Sequence, residues 1–116
     1  MGLVVKDTAV SAKFYCDCLN FVTGKQYSGK NLNILLLHND TTVIELLEKQ
    51  NDALAQRSSG VWDHICFQVD DIEAMYHKLK AQQVELIDQE PRTSLLGKRV
   101  LFFAGPDGER IELIEK

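Results

Sequence analysis

His64-Ile65-Cys66-Phe67-Gln68-Val69-Asp70-Asp71 decides the fold of this chain, because a helical pattern follows it and because it has a copy. Side chains alternate across a strand, so Ile65, Phe67 and Val69 form one apolar face and His64, Cys66 and Gln68 the other. Asp71 can cap the helix that follows, in which Ile72, Met75, Tyr76 and Leu79 recur at three- and four-residue spacing. The copy opens the chain as Gly2-Leu3-Val4-Val5-Lys6-Asp7. Asp7 or Thr8 can cap a helix carrying Ala9, Ala12, Phe14, Tyr15, Cys18 and Leu19, and Asn20 ends it. Asp7 and Asp71 stand 64 positions apart. Further out, Val43-Ile44-Glu45-Leu46-Leu47-Glu48-Lys49 answers Arg110-Ile111-Glu112-Leu113-Ile114-Glu115-Lys116, with Glu45 and Glu112 67 positions apart. The second copy therefore carries three more residues than the first, and the duplication governs the fold.

Between these anchors the pattern predicts strands at 22–27, 32–38 and 41–47 in the first copy, with a hairpin turn at Asn39-Asp40. In the second copy it predicts strands at 84–87, 99–104 and 110–114, with loop at 95–98 and a turn at Gly105-Pro106-Asp107-Gly108. Each copy reads βαβββ. Module one covers about 1–50 and module two about 63–116. The polar, turn-rich stretch between them, about 51–62, reads as the connection.

The 116 residues suit one domain, and 45% hydrophobic with 26% charged residues is ordinary globular composition. A net charge of −4 disfavours nucleic acid, which needs clustered Lys and Arg. No apolar run approaches a membrane span and no secretory signal opens the chain, so neither a membrane nor export is expected. Cys16 and Cys18 are too close for an ordinary helix-borne disulfide, and three cysteines is an odd count; reduced thiols in a cytoplasmic protein are expected.

The alternation also yields a candidate site. Ile111 and Leu113 lie opposite Glu112, and Ile44 and Leu46 lie opposite Glu45. With the apolar faces under the helices, Glu45, His64 and Glu112 point away from them. Enclosing three ionisable groups without partners is costly, and a divalent metal satisfies all three. His38 and His77 read as surface residues, and the cysteines as buried or half-buried thiols. Trp62 is placed at the module junction. Of Phe102 and Phe103 one is core, and Phe103 is taken as the one lining the cavity. Arg92, Lys98 and Arg99 are either a solvated edge or a substrate-binding set.

The stretches VVKDTAVSAKFYCDCLNF, DHICFQVDDIEAMYHKLKAQQVELI and GKRVLFFAGPDGERIELIEK resemble the vicinal oxygen chelate superfamily, which includes glyoxalase I, methylmalonyl-CoA epimerase, extradiol dioxygenases and the fosfomycin and bleomycin resistance proteins. The resemblance spans essentially the whole chain. It implies an α+β fold, two tandem βαβββ modules forming a curved, partly closed mixed sheet with helices on the outer face. It also implies a homodimer, whose sites are built either within one chain or across two. Metal-dependent members take four ligands, from the first and last strand of each module. Carried onto this chain, these are His64, Glu45 and Glu112. The fourth falls one place before Met1, so a start upstream of Met1 is expected; loss of that ligand is the alternative.

A His and carboxylate set suits Ni, Co, Zn, Mn or Fe. The resemblance implies proton transfer next to a carbonyl through a metal-bound enediolate, as in lactoylglutathione lyase, with Glu112 as base and Glu45 as its partner. Val4 stands where glutathione-dependent members carry an Arg, which weakens glutathione as substrate. The segment from 85 to 103 resembles epimerases, where Arg92, Lys98 and Arg99 would meet coenzyme A phosphates. The compact 104–108 turn looks more like glyoxalase I. The alternatives are therefore an epimerase-like isomerase and a metal-free, drug-sequestering binding protein on the same fold.

Overall fold

A computed structural model of the chain describes residues 1–40, 42–50, 64–94 and 96–116. The chain divides into two compact units, Met1–Ser58 and Ser59–Lys116. The expected connection and Trp62 lie outside the described residues.

In the first unit, β1 (Gly2–Val5) leads into α1 (Thr8–Leu19), and β2 (Val22–Ser28), β3 (Leu32–His38) and β4 (Val43–Lys49) follow. The sheet order is β1-β4-β3-β2. The last three strands form an antiparallel meander, and β1 lies parallel to β4 because a helix carries the chain across. Asp7 is the N-cap: its carboxylate accepts from the N–H groups of Ala9 and Val10. Asn20 closes α1 in the left-handed conformation, φ 58°, which its short polar side chain tolerates. The turn after β3 is held by reciprocal backbone bonds between Asn39 and Thr42, so β4 starts at Val43, two residues later than the pattern predicts. Tyr15, Leu37, Ile44 and Leu46 are fully buried between helix and sheet. Each such aliphatic side chain contributes about 1.5–3 kcal/mol.

The second unit repeats the plan. β5 (Ile65–Val69), α2 (Ile72–Ala81), β6 (Arg92–Thr93), β7 (Arg99–Ala104) and β8 (Arg110–Glu115) form a sheet of order β5-β8-β7-β6, with β5 parallel to β8. Asp71 caps α2 through Ala74 N–H. Ile72 and Leu79 from the helix, with Leu101, Phe103, Ile111 and Leu113 from the sheet, are fully buried. The hydrogen bonding thus runs in two four-stranded mixed sheets, each open at both edges.

The strand predicted at 84–87 is replaced by one isolated bridge, Leu86 to Phe103, and the fourth strand is Arg92–Thr93 instead. Two residues explain the shift. The carboxylate of Asp88 accepts from Phe102 N–H at 2.9 Å and so takes over a bond that a ladder partner would make. Pro91 has no N–H to extend pairing toward β6.

Candidate functional site

The two strand registers match residue for residue. Gly2 of β1 faces Glu45 of β4, and Cys66 of β5 faces Glu112 of β8. The first strands are thus related by an offset of 64 and the last strands by 67, as the sequence copies are. Val5 faces Glu48, and Val69 faces Glu115, at the next equivalent level.

This register sorts the glutamates onto opposite faces. Glu48 Oε2 accepts from Thr8 N–H at 2.8 Å and from Thr8 Oγ1–H at 3.0 Å. Glu115 Oε1 accepts from Ile72 N–H at 3.1 Å. Both sit at the N-terminus of their own module's helix, where unpaired N–H groups favour an anion. Glu45 and Glu112, three residues earlier on strands of period two, occupy the face without the helix. Sequence reasoning missed the helix-facing pair, although the second Glu of Glu45-Leu46-Leu47-Glu48 and Glu112-Leu113-Ile114-Glu115 was the available signal.

In module two, the helix-free face brings His64 and Glu112 together. His64 Nε2 and Glu112 Oε2 are 2.9 Å apart, with side chains 32% and 15% exposed. Cys66 shares this face. Burial pushes its thiol up, with the neighbouring Glu112 carboxylate adding hydrogen-bond and charge effects, to about 11. The thiol therefore stays protonated at neutral pH; none of the three cysteines is in a disulfide, and while Cys18 is buried and Cys16 half-buried as expected, Cys66 as a residue is exposed. The His64 ring meets Phe102 edge-on, centroids 5.1 Å apart. In module one, Glu45 is exposed opposite Gly2, and the Met1 carbonyl accepts from Glu45 N–H at 2.7 Å. Among the described residues, no group of three or more His, Cys, Asp and Glu is close enough to hold a metal ion.

The proposed substrate-binding residues separate. Phe103 pairs with Ile111 and is fully buried on the α2 side, so it does not line the helix-free face. Phe102, paired with Glu112, takes that place, because alternation gives the face to even-numbered residues of β7. Arg99 also goes to the helix side, where it pairs with Glu73 and lines a cleft with Tyr76, Glu90 and Thr93. Lys98 is exposed in the hairpin before β7. Arg92 does reach the helix-free face: its Cζ lies 5.5 Å from the centre of the Phe102 ring. Arg110, which sequence reasoning did not single out, lies 5.1 Å from the same ring. His38 and His77 are exposed, as expected.

A family model described as Glyoxalase/Bleomycin resistance protein/Dioxygenase superfamily matches residues 1–113. Over 120 residues the chain is 31% identical to the uncharacterized protein YwbC of Bacillus subtilis, covering 99% of this chain and 94% of that protein. Over 91 residues it is 37% identical to the mitochondrial methylmalonyl-CoA epimerase of Dictyostelium discoideum, covering 75% of this chain and 51% of the epimerase. The crystal structure of a glyoxalase family protein from Enterococcus faecalis superposes with a TM-score of 0.86 at 25% identity, covering 99% of this chain and 94% of that one.

Proposed function

This chain belongs to the glyoxalase/bleomycin resistance protein/dioxygenase superfamily, and from that premise we propose that it is a divalent-metal-dependent lyase or isomerase acting on a small carbonyl compound or its thiol adduct. The observation that carries the reading is the His64–Glu112 pair, 2.9 Å apart on the helix-free face of module two. An imidazole nitrogen beside a carboxylate oxygen is a donor pair that Ni, Co, Zn, Mn or Fe accepts. His64 and Glu112 would hold the ion. Glu45 is proposed as the third ligand on the repeat correspondence, since it faces Gly2 as Glu112 faces Cys66. When bound, the ion supplies Lewis-acid polarisation of the substrate oxygen.

The chain's own residues would do the rest. Glu112 takes the proton from the carbon beside the carbonyl and delivers it to the neighbouring or the same carbon. Without an ion, His64 Nε2 holds the Glu112 carboxylate in place. Phe102, 8% exposed, gives the pair an apolar wall that limits water. Glu45 is the second carboxylate proposed for proton return. By the same family resemblance the working form is proposed to be a homodimer, checked by sedimentation at twice the chain mass.

A second reading, an epimerase acting on an acyl-coenzyme A thioester, is favoured by the 37% identity to the Dictyostelium epimerase. One experiment serves both. The chain is loaded with Ni, Co, Zn or Mn, and deuterium uptake from D2O is followed by NMR. The test substrates are the glutathione adduct of methylglyoxal and methylmalonyl-CoA. Uptake at the carbon next to the carbonyl is expected, falling about 10²–10⁴-fold in E112Q. No metal binding and no uptake with either substrate would overturn the enzymatic reading in favour of a metal-free binding protein.

A further inference from the structure

Asp88 lies between α2 and β6, off the strands that carry the candidate site, yet its carboxylate holds two residues of the helix-free face of module two. Its Oδ2 accepts from Phe102 N–H at 2.9 Å, and its Oδ1 accepts from Arg92 Nε at 3.0 Å. The Asp88 side chain is 17% exposed, so water competes little for either bond. Both bonds bear on one aromatic ring. The first fixes the backbone from which the Phe102 ring projects, and the second holds a guanidinium whose Cζ lies 5.5 Å from the centre of that ring. The ring in turn meets the His64 imidazole edge-on at 5.1 Å, and Phe102 is the cross-strand partner of Glu112. A histidine ring turns about two side-chain torsions, and a fixed neighbour removes that freedom. A continuous series of contacts therefore runs from Asp88 through Phe102 to the imidazole whose Nε2 sits 2.9 Å from Glu112.

We propose that Asp88 is a positioning residue for the His64–Glu112 pair: by holding Phe102 and Arg92 together it fixes the aromatic wall that keeps the imidazole turned toward Glu112. This rests on the reading of the site given above and adds a residue outside it. The role calls for a carboxylate. Both contacts come from N–H donors and each uses its own oxygen, whereas an amide offers one acceptor oxygen and one donor group. The part-buried Phe102 N–H is the costlier donor to leave unpaired, so an Asn here keeps that bond and gives up Arg92.

The test follows the His64 ring by proton–carbon NMR of the whole chain, labelled at histidine Cε1, treated with chelator and held at one pH. The chain has three histidines, so three cross-peaks are expected, and H64Q identifies one of them. His38, on β3 of the other unit, is the internal control. F102L removes the ring current acting on His64 and defines the full displacement of its peak. D88A is expected to carry the His64 peak most of the way to its F102L position while the His38 peak stays in place. D88N and R92Q each break the Arg92 contact alone, so each should give a smaller displacement. The D88N/R92Q double variant should move the peak no further than either single one, because both remove the same contact. Arg92 is half exposed, so R92Q and D88N decide the matter even if D88A does not fold. In the metal-loaded chain D88N should lower kcat for deuterium exchange by up to about 10²-fold with KM unchanged. A His64 peak unmoved in both D88N and R92Q would overturn the proposal, as would one unmoved by F102L, or displacements that simply add in the double variant. A merely structural Asp88 would lower the urea midpoint and leave the His64 peak where it is. The NMR measurement needs neither metal nor turnover, which keeps its outcome separate from that of the exchange assay.

Discussion

Cys66 shows how much one neighbour matters at the scale of the residue. Its thiol sits across the ladder from Glu112 and is raised to about 11, first by burial and then by that carboxylate. At pH 8, roughly one thiol in a thousand is then ionised, so alkylation by iodoacetamide should be slow. In chelator-treated E112Q the negative charge is gone, the thiol titrates at lower pH, and alkylation of Cys66 at pH 8 should speed up several-fold. Site-resolved mass spectrometry across pH 7–11 reads both rates, and an unchanged profile would remove Glu112 as a cause. His64 and Glu112 were legible in the sequence because strand alternation is a local rule. Phe102 was harder. Choosing it over Phe103 depends on the pairing of β7 with β8, where one residue of slip exchanges the two faces. Arg110 carried no signal of its own, since a cation after a turn is usually a solvated edge; only the structure places its guanidinium 5.1 Å from the Phe102 ring.

At the scale of the element, the duplicated feature is a strand that serves two faces. Glu45 and Glu112 look away from the helix, while Glu48 and Glu115 look toward it and satisfy N–H groups at its start. Removing the Glu48 carboxylate leaves Thr8 N–H part-buried and without that acceptor. E48A should therefore lose about 1–3 kcal/mol of stability, read as a lower urea midpoint with unchanged slope. E115A gives up one such bond rather than two, and its loss should be nearer about 1 kcal/mol. Equal losses in the two variants would show that the Thr8 hydroxyl contact adds nothing. D7A should cost about 1 kcal/mol by the ordinary value of an N-cap. Both helices were predicted from spacing and caps. The segment from 84 to 91 was not, because its outcome turns on Asp88 reaching a backbone N–H fourteen residues away. No window of local sequence contains that bond.

For the molecule as a whole, the modules share one plan: Gly2 faces Glu45 as Cys66 faces Glu112. If Glu45 is a ligand as proposed, E45Q and E112Q should both weaken metal binding, each by at least about tenfold. Calorimetric titration with Ni or Co measures this. A metal affinity unchanged in E45Q, but lost in H64A and E112Q, would confine the ion to module two.

The sequence alone determined the duplicated βαβββ plan, the helix caps and the faces of β5 and β8, because periodicity and capping act over a few residues. Tertiary structure alone decided which side chains meet. It set His64 against Glu112, gave Phe102 two arginines, sent Arg99 to the other side and turned Glu48 and Glu115 to the helices. Those outcomes depend on register and on contacts between residues distant in the chain, which local pattern does not encode.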